Sequence, residues 1–144
     1  MKNNFKDIYE MPDLACVLKF SWSTLNLYAK KTASCCRVES DPITIHNIDD
    51  FHNTPLKLQT RQDTIDGKWP GNGCEYCEKI EKVGGISERM TANFNTKPPI
   101  ELINDRKAIK VSPTIVEVYF NNLCNMACLY CNSDYSTVWE NEDI

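Results

Sequence analysis

The sequence predicts an α+β chain: a β-hairpin with short helices over the first hundred residues, then one strand–loop–helix unit of α/β type. Three observations carry this. "CVLKFSWSTLNLYAKKTASCCRV" gives two short extended runs around Ala29-Lys30-Lys31-Thr32, the pattern of a hairpin. Glycine and proline punctuate the next stretch at helix spacing, at Pro55, Gly67 and Gly84-Gly85. "TIVEVYF" is β-branched and aromatic throughout and is broken by Asn121-Asn122 just before three closely spaced cysteines, as a strand feeding a loop would be.

In chain order, residues 1–14 read as a polar lead-in. The hairpin follows, with Cys16 before its first run and Cys35 and Cys36 on its second. Adjacent strand residues point to opposite faces, so only one of that pair faces a common ligand. Asp49 or Asp50 caps a short helix, and Pro55 opens a second that ends near Gly67. Trp69-Pro70-Gly71-Asn72-Gly73 is a dense turn signal that delivers Cys74 and Cys77. "EYCEKIEKVGG" is a polar helix stopped by its glycines, and "ISERMTANF" starts another. Residues 99–114 read as a connector, 115–120 as the strand and 121–132 as the loop. A final helix takes Ser133 or Asp134 as its cap. These divide the chain into 1–98, a connector over 99–114, and 115–144.

Length and composition bound the function. The 144 residues suffice for one modest domain, and 42% hydrophobic with 25% charged residues is ordinary globular composition. A net charge of −4 without a Lys/Arg run gives no reason to expect nucleic acid. Apolar runs are too short to span a membrane, and acids and a proline occupy the place of a signal peptide's apolar region. The expected compartment is the cytoplasm. There, eight cysteines are not a disulfide framework, and their tight grouping points to metal.

The loop Cys124-Asn-Met-Ala-Cys128-Leu-Tyr130-Cys131 is the sharpest signal. Structural zinc takes four protein ligands, commonly as C-x-x-C pairs. Pairing Cys74 and Cys77 with Cys128 and Cys131 would satisfy that and leave Cys124 unused. Three thiolates instead suit a four-iron cube with one iron open to a small molecule, and a strand leading into a ligand loop is how α/β barrels present reactive groups.

C-x-x-x-C-x-aromatic-C after a strand resembles the cluster motif of radical S-adenosylmethionine enzymes. The resemblance implies that Cys124, Cys128 and Cys131 hold a [4Fe–4S] cluster whose fourth iron chelates S-adenosylmethionine, and that Tyr130 packs near the adenine. It implies reductive cleavage to a 5′-deoxyadenosyl radical that abstracts hydrogen from an unknown substrate, such as a peptide, with an electron donor such as flavodoxin or ferredoxin. The upstream pieces, Cys16 with Trp22, Cys35-Cys36, Cys74-Glu-Tyr-Cys77, Glu81, Gly84 or Gly85 and Ser87-Glu-Arg89, resemble the N-terminal twitch-type region of twitch/SPASM-like members. That implies an auxiliary iron–sulfur cluster on Cys16, one of Cys35 or Cys36, Cys74 and Cys77, although a zinc site would look the same. The implied fold is a twitch-like region leading into the first unit of an incomplete TIM-like barrel. A full barrel runs to about 250 residues, so a truncated, split or leading piece is expected, with a second polypeptide to complete it. The other function class is a non-catalytic zinc- or iron–sulfur-binding interaction module.

Other residues read more plainly. His46 and His52 lie in a polar stretch without ligand spacing. Ser87 and Arg89 are a helix cap and a solvated arginine at least as readily as cofactor contacts. Trp22, Trp69 and Trp139 are partly buried aromatics.

Overall fold

A computed structural model describes residues 11–12 and 14–142. Most of the expected polar lead-in, residues 1–14, lies outside the described residues. The described part is a small mixed α+β fold with one four-stranded sheet.

The chain enters through a single helical turn, α1 (Val17–Ser21), which runs directly into β1 (Trp22–Asn26). The sequence pattern predicted an extended run here. Val17 and Phe20 are fully buried, and three-residue spacing places both on one helical face. A turn with Lys30 at φ +53 leads to β2 (Lys31–Ala33), which pairs antiparallel with β1 through Thr24–Ala33, Leu25–Thr32 and Asn26–Lys31. The short strand β3 (Asp41–Pro42) adds to β2, and a 3-10 turn follows at Ile48–Asp50.

Helix α2 (Pro55–Ile65) starts where Pro55 sets φ for the first turn. Its cap is Thr54, whose hydroxyl accepts the Lys57 amide at 3.3 Å. It ends at Asp66, before Gly67 at φ +72. Helix α3 (Glu75–Lys82) stops ahead of Gly84, α4 (Glu88–Asn95) is capped by Ser87 and α5 (Ile100–Asn104) occupies the stretch read as a connector. Then β4 (Ile115–Tyr119) pairs parallel with β1 over its whole length, from Trp22–Ile115 to Asn26–Tyr119. The last helix, α6 (Thr137–Glu142), starts later than the cap at Ser133 or Asp134 implied. The sheet order is β3-β2-β1-β4, which leaves β4 at an edge.

Paired residues on parallel strands project from the same face. Val116 and Val118 therefore share a face with Ser23 and Leu25, and α2 covers part of it: its Lys57 reaches Ser23 and Thr32. The opposite face is crossed by residues 134–135. Asn26 Nδ2 donates to the Asp134 carbonyl at 3.3 Å, and Tyr135 meets the Tyr119 ring edge-on at 4.9 Å. The apolar core is small and lies beside the sheet, with Ala15, Phe20, Leu102 and Val111 buried against Met11, Ile65 and Ala108.

Candidate functional site

Three groups of residues invite a functional reading: the loop cysteines, the upstream cysteines, and a buried polar cluster between α2 and the sheet.

The loop after β4 is held through its backbone. Ser136 Oγ donates to the Met126 carbonyl at 2.9 Å, Thr137 Oγ1 to the Cys124 carbonyl at 2.9 Å, and Trp139 Nε1 to the Cys128 carbonyl at 3.1 Å. The thiols do not converge. Cys124 Sγ turns to the Met126 carbonyl at 4.0 Å and Cys131 Sγ to the Asn132 carbonyl at 3.7 Å, so each is directed at its own stretch of loop. Tyr130 is 92% exposed, packs on nothing that would frame an adenine, and has its phenol pushed up by the hydrogen bond to Cys128.

The upstream cysteines approach one another from three segments. Cys16 is buried at the entrance to α1, Cys35 lies in the turn after β2 and Cys74 precedes α3. Cys35 and Cys36 are not on the strand, which ends at Ala33, so strand alternation does not divide their roles. Gly73 fixes this arrangement. Its φ is +91, and a Cβ there would lie 2.1 Å from the Arg37 carbonyl oxygen, so only glycine lets the 71–74 turn sit on the 35–38 turn. Burial raises all three thiols, Cys35 to about 11, while the Lys19 ammonium pulls each the other way.

Among the described residues no three His, Cys, Asp or Glu side chains are grouped to hold a metal ion. This corrects the expected [4Fe–4S] site on Cys124, Cys128 and Cys131, and with it the S-adenosylmethionine site, the radical chemistry and the resemblance to that enzyme family. It equally corrects the auxiliary cluster on Cys16, Cys35 or Cys36, Cys74 and Cys77, and the zinc- or iron–sulfur-binding module. The physical reason is that spacing sets how far apart thiols can be, whereas convergence depends on where each Sγ turns. No family model, curated protein or solved structure matches the chain.

The buried polar cluster was not singled out from the sequence. Lys57 is 4% exposed, and its three ammonium protons go to Thr32 Oγ1 at 2.7 Å, Ser23 Oγ at 2.9 Å and the Phe51 carbonyl at 2.9 Å. Burial, then Arg61, lowers its pKa to about 7. Ser23 Oγ lies 2.7 Å from His52 Nδ1. His52 Nε2 is 2.9 Å from both the Phe20 carbonyl and Arg61 Nη2, and a neutral ring satisfies one of these in each tautomer. A protonated ring would face the guanidinium, and burial with that charge lowers the His52 pKa to about 4.

Arg61 has no exposed surface. Its Nε donates to the Lys19 carbonyl at 2.6 Å, Nη1 to Asn53 Oδ1 and the Ile109 carbonyl, and Nη2 to the His52 carbonyl at 2.8 Å. One side chain thus ties α1, the 52–53 turn and the segment before β4 together. Removing a buried, fully bonded charge of this kind costs about 3–5 kcal/mol.

Serine, histidine and lysine in hydrogen-bond contact have the composition of a nucleophile with its bases. Ser23 is fully buried, however, and His52 only 2% exposed. A small cavity bordered by Lys57, of about 10 Å³, has room for about one water. A substrate carbonyl has no approach, and the cluster is architectural. The same holds for Glu81, which takes Ser87 Oγ at 2.5 Å and Arg89 through Nε at 2.9 Å and Nη2 at 2.5 Å. Arg89 is therefore a partly buried clamp between α3 and α4 rather than a solvated arginine.

The surface around β4 is different in kind. Ile115, Val116 and Val118 are 49, 42 and 39% exposed, and Phe120 and Leu123 beyond them 75 and 77%. A strand of this composition in parallel pairing is ordinarily covered on both faces. Among the described residues no helix is long and apolar enough to cross a membrane.

Proposed function

We propose that this chain is a polypeptide-binding assembly module that takes an extended segment of a partner along the open edge of β4. The observation that carries this is a β-branched strand paired on one side only, apolar at Val116 and Val118, on a face that α2 covers only as far as β1 and β2. Unpaired backbone groups on such an edge hydrogen-bond a further strand, and alternate side chains supply specificity. Glu117, mid-strand and exposed, selects the occupant. Its carboxylate is bonded to the Tyr119 hydroxyl at 2.6 Å, and a basic residue opposite it would be favoured, whereas a second β4 related by a two-fold at this position would oppose two carboxylates. The partner is therefore an extended segment with β-branched residues around a central lysine or arginine.

The test is fluorescence anisotropy with a labelled peptide of alternating threonine and valine around one lysine. Saturable binding is expected, weakened at least tenfold by Val118→Lys, with Glu117→Lys shifting preference to a second peptide that carries glutamate in place of the central lysine. Wild-type chain that fails to bind, or binding indifferent to Val118→Lys, refutes the reading. A chain that instead dimerises through β4, as judged by light scattering on the Val118→Lys variant, refutes the choice of occupant.

A further inference from the structure

The thiols at the start of α3 form the second place where the molecule carries chemistry. Cys74 precedes the helix with αR dihedrals of −71° and −15°, and the Glu78 amide donates to its carbonyl at 3.1 Å. The first turn is therefore closed, with Cys74 and Cys77 three residues apart on it. Helix geometry puts Cα atoms three residues apart roughly 5 Å from each other, within the Cα separation a disulfide spans, and a cysteine-x-x-cysteine at a helix start is the usual frame for a redox pair. Cys74 makes no capping hydrogen bond with its side chain, so its sulfur is not committed to the helix end. Both residues are partly exposed.

Two further features fix and charge this pair. Gly73 seats the turn against Arg37 and Val38, so Cys74 is presented from a rigid support. Lys19, only 3% exposed, lies near Cys74, and its ammonium opposes the burial that raises that thiol. Among the described residues Lys19 makes no ion pair with a carboxylate, since the four bridges are those of Lys31, Lys82, Arg89 and Lys110. Burial raises the Cys74 thiol and the Lys19 ammonium offsets part of that rise, which matters because the thiolate is both the attacking and the leaving species in exchange.

We propose that Cys74 and Cys77 are a reversible dithiol–disulfide pair that exchanges with a low-molecular-weight disulfide such as oxidised glutathione. One thiolate attacks a sulfur of that disulfide, forming a mixed disulfide and releasing one thiol. The other attacks the mixed disulfide, closing the Cys74–Cys77 bond and releasing the second thiol. The two protein thiols are oxidised by two electrons, the glutathione disulfide is reduced by two, and the two protons pass to the released thiols. A transient bridge of this kind is compatible with a reducing compartment.

The whole reduced chain is incubated with oxidised glutathione, alkylated and digested with trypsin, and the peptide Trp69–Lys79, which holds both cysteines, is weighed. The expected result is an unalkylated peptide lighter by two hydrogens, restored by excess reduced glutathione. Cys77→Ser should trap a glutathione adduct on Cys74 instead, and Lys19→Met should slow closure about tenfold, with Lys19→Arg restoring it. Bridges from Cys74 to Cys16 or Cys35, or stable double glutathionylation of Cys74 and Cys77, overturn the proposal. So does closure at the same rate in Lys19→Met and wild type, as far as the role of Lys19 is concerned.

Discussion

Lowering the pH from 6.5 to 5 is expected to cost the fold about 2 kcal/mol through His52 alone. The ring is neutral in the folded chain, where burial and the neighbouring Arg61 hold its pKa near 4 against 6.5 when unfolded. The depressed value means that the unfolded chain binds the proton first. Stability is unaffected above pH 6.5, falls as the pH drops below it, and levels off once the folded ring also protonates near pH 4. The full loss is about 3 kcal/mol, and about 2 kcal/mol of it lies above pH 5, before most carboxylates titrate. That is a large share of the 5–15 kcal/mol typical of a domain. The assay is urea unfolding followed by tryptophan fluorescence at half-unit steps, for wild type and His52→Gln. Glutamine keeps a donor and an acceptor but cannot titrate, so its stability should be lower throughout and flat across this window. A flat wild-type profile, or the same slope in His52→Gln, would refute the buried neutral ring.

Lys57 predicts a slope of the same sign on the alkaline side. Its pKa is near 7 when folded and 10.5 when unfolded, so the unfolded chain again holds more protons between those values, and stability rises by about 2 kcal/mol from pH 7 to 9; the Lys57→Met variant should lack that rise in the same urea series. Gly73→Ala forces a Cβ to 2.1 Å from the Arg37 carbonyl at φ +91, which should cost on the order of 3 kcal/mol. A midpoint shift in urea with unchanged slope would report that loss, whereas a wild-type midpoint would mean that the 71–74 turn does not rest on Arg37.

Boundaries set by backbone chemistry were legible in the sequence, and burial of polar faces was not. Pro55, Gly67 and Gly84 mark their helix ends because proline fixes φ and glycine takes positive φ wherever they occur. The inward face of α2 is Lys57, Thr60, Arg61 and Thr64, which in a one-dimensional pattern is indistinguishable from a solvated face. Its burial follows from acceptors that the rest of the chain brings to it, the carbonyls of Lys19, Phe51, His52 and Ile109. For the same reason nothing in the polar stretch around His52 marks it as buried. The 17–21 stretch was read as extended because its valine and phenylalanine are common in strands, yet one turn of helix puts both on the apolar core.

The cysteine loop shows the limit of spacing as a warrant. Three thiols within eight residues make a shared ligand affordable in chain entropy, but they share one only if the loop's backbone turns every Sγ inward. Here the loop is fastened at three of its carbonyls by Ser136, Thr137 and Trp139, with two of its sulfurs directed at neighbouring carbonyls. In the first turn of α3 the helix itself dictates the relation between Cys74 and Cys77, so proximity there does not depend on how a loop is fastened. That difference is why pairwise thiol chemistry is assigned to α3 and none to the loop, and why the loop's apolar neighbours on β4 are read as a surface for a partner.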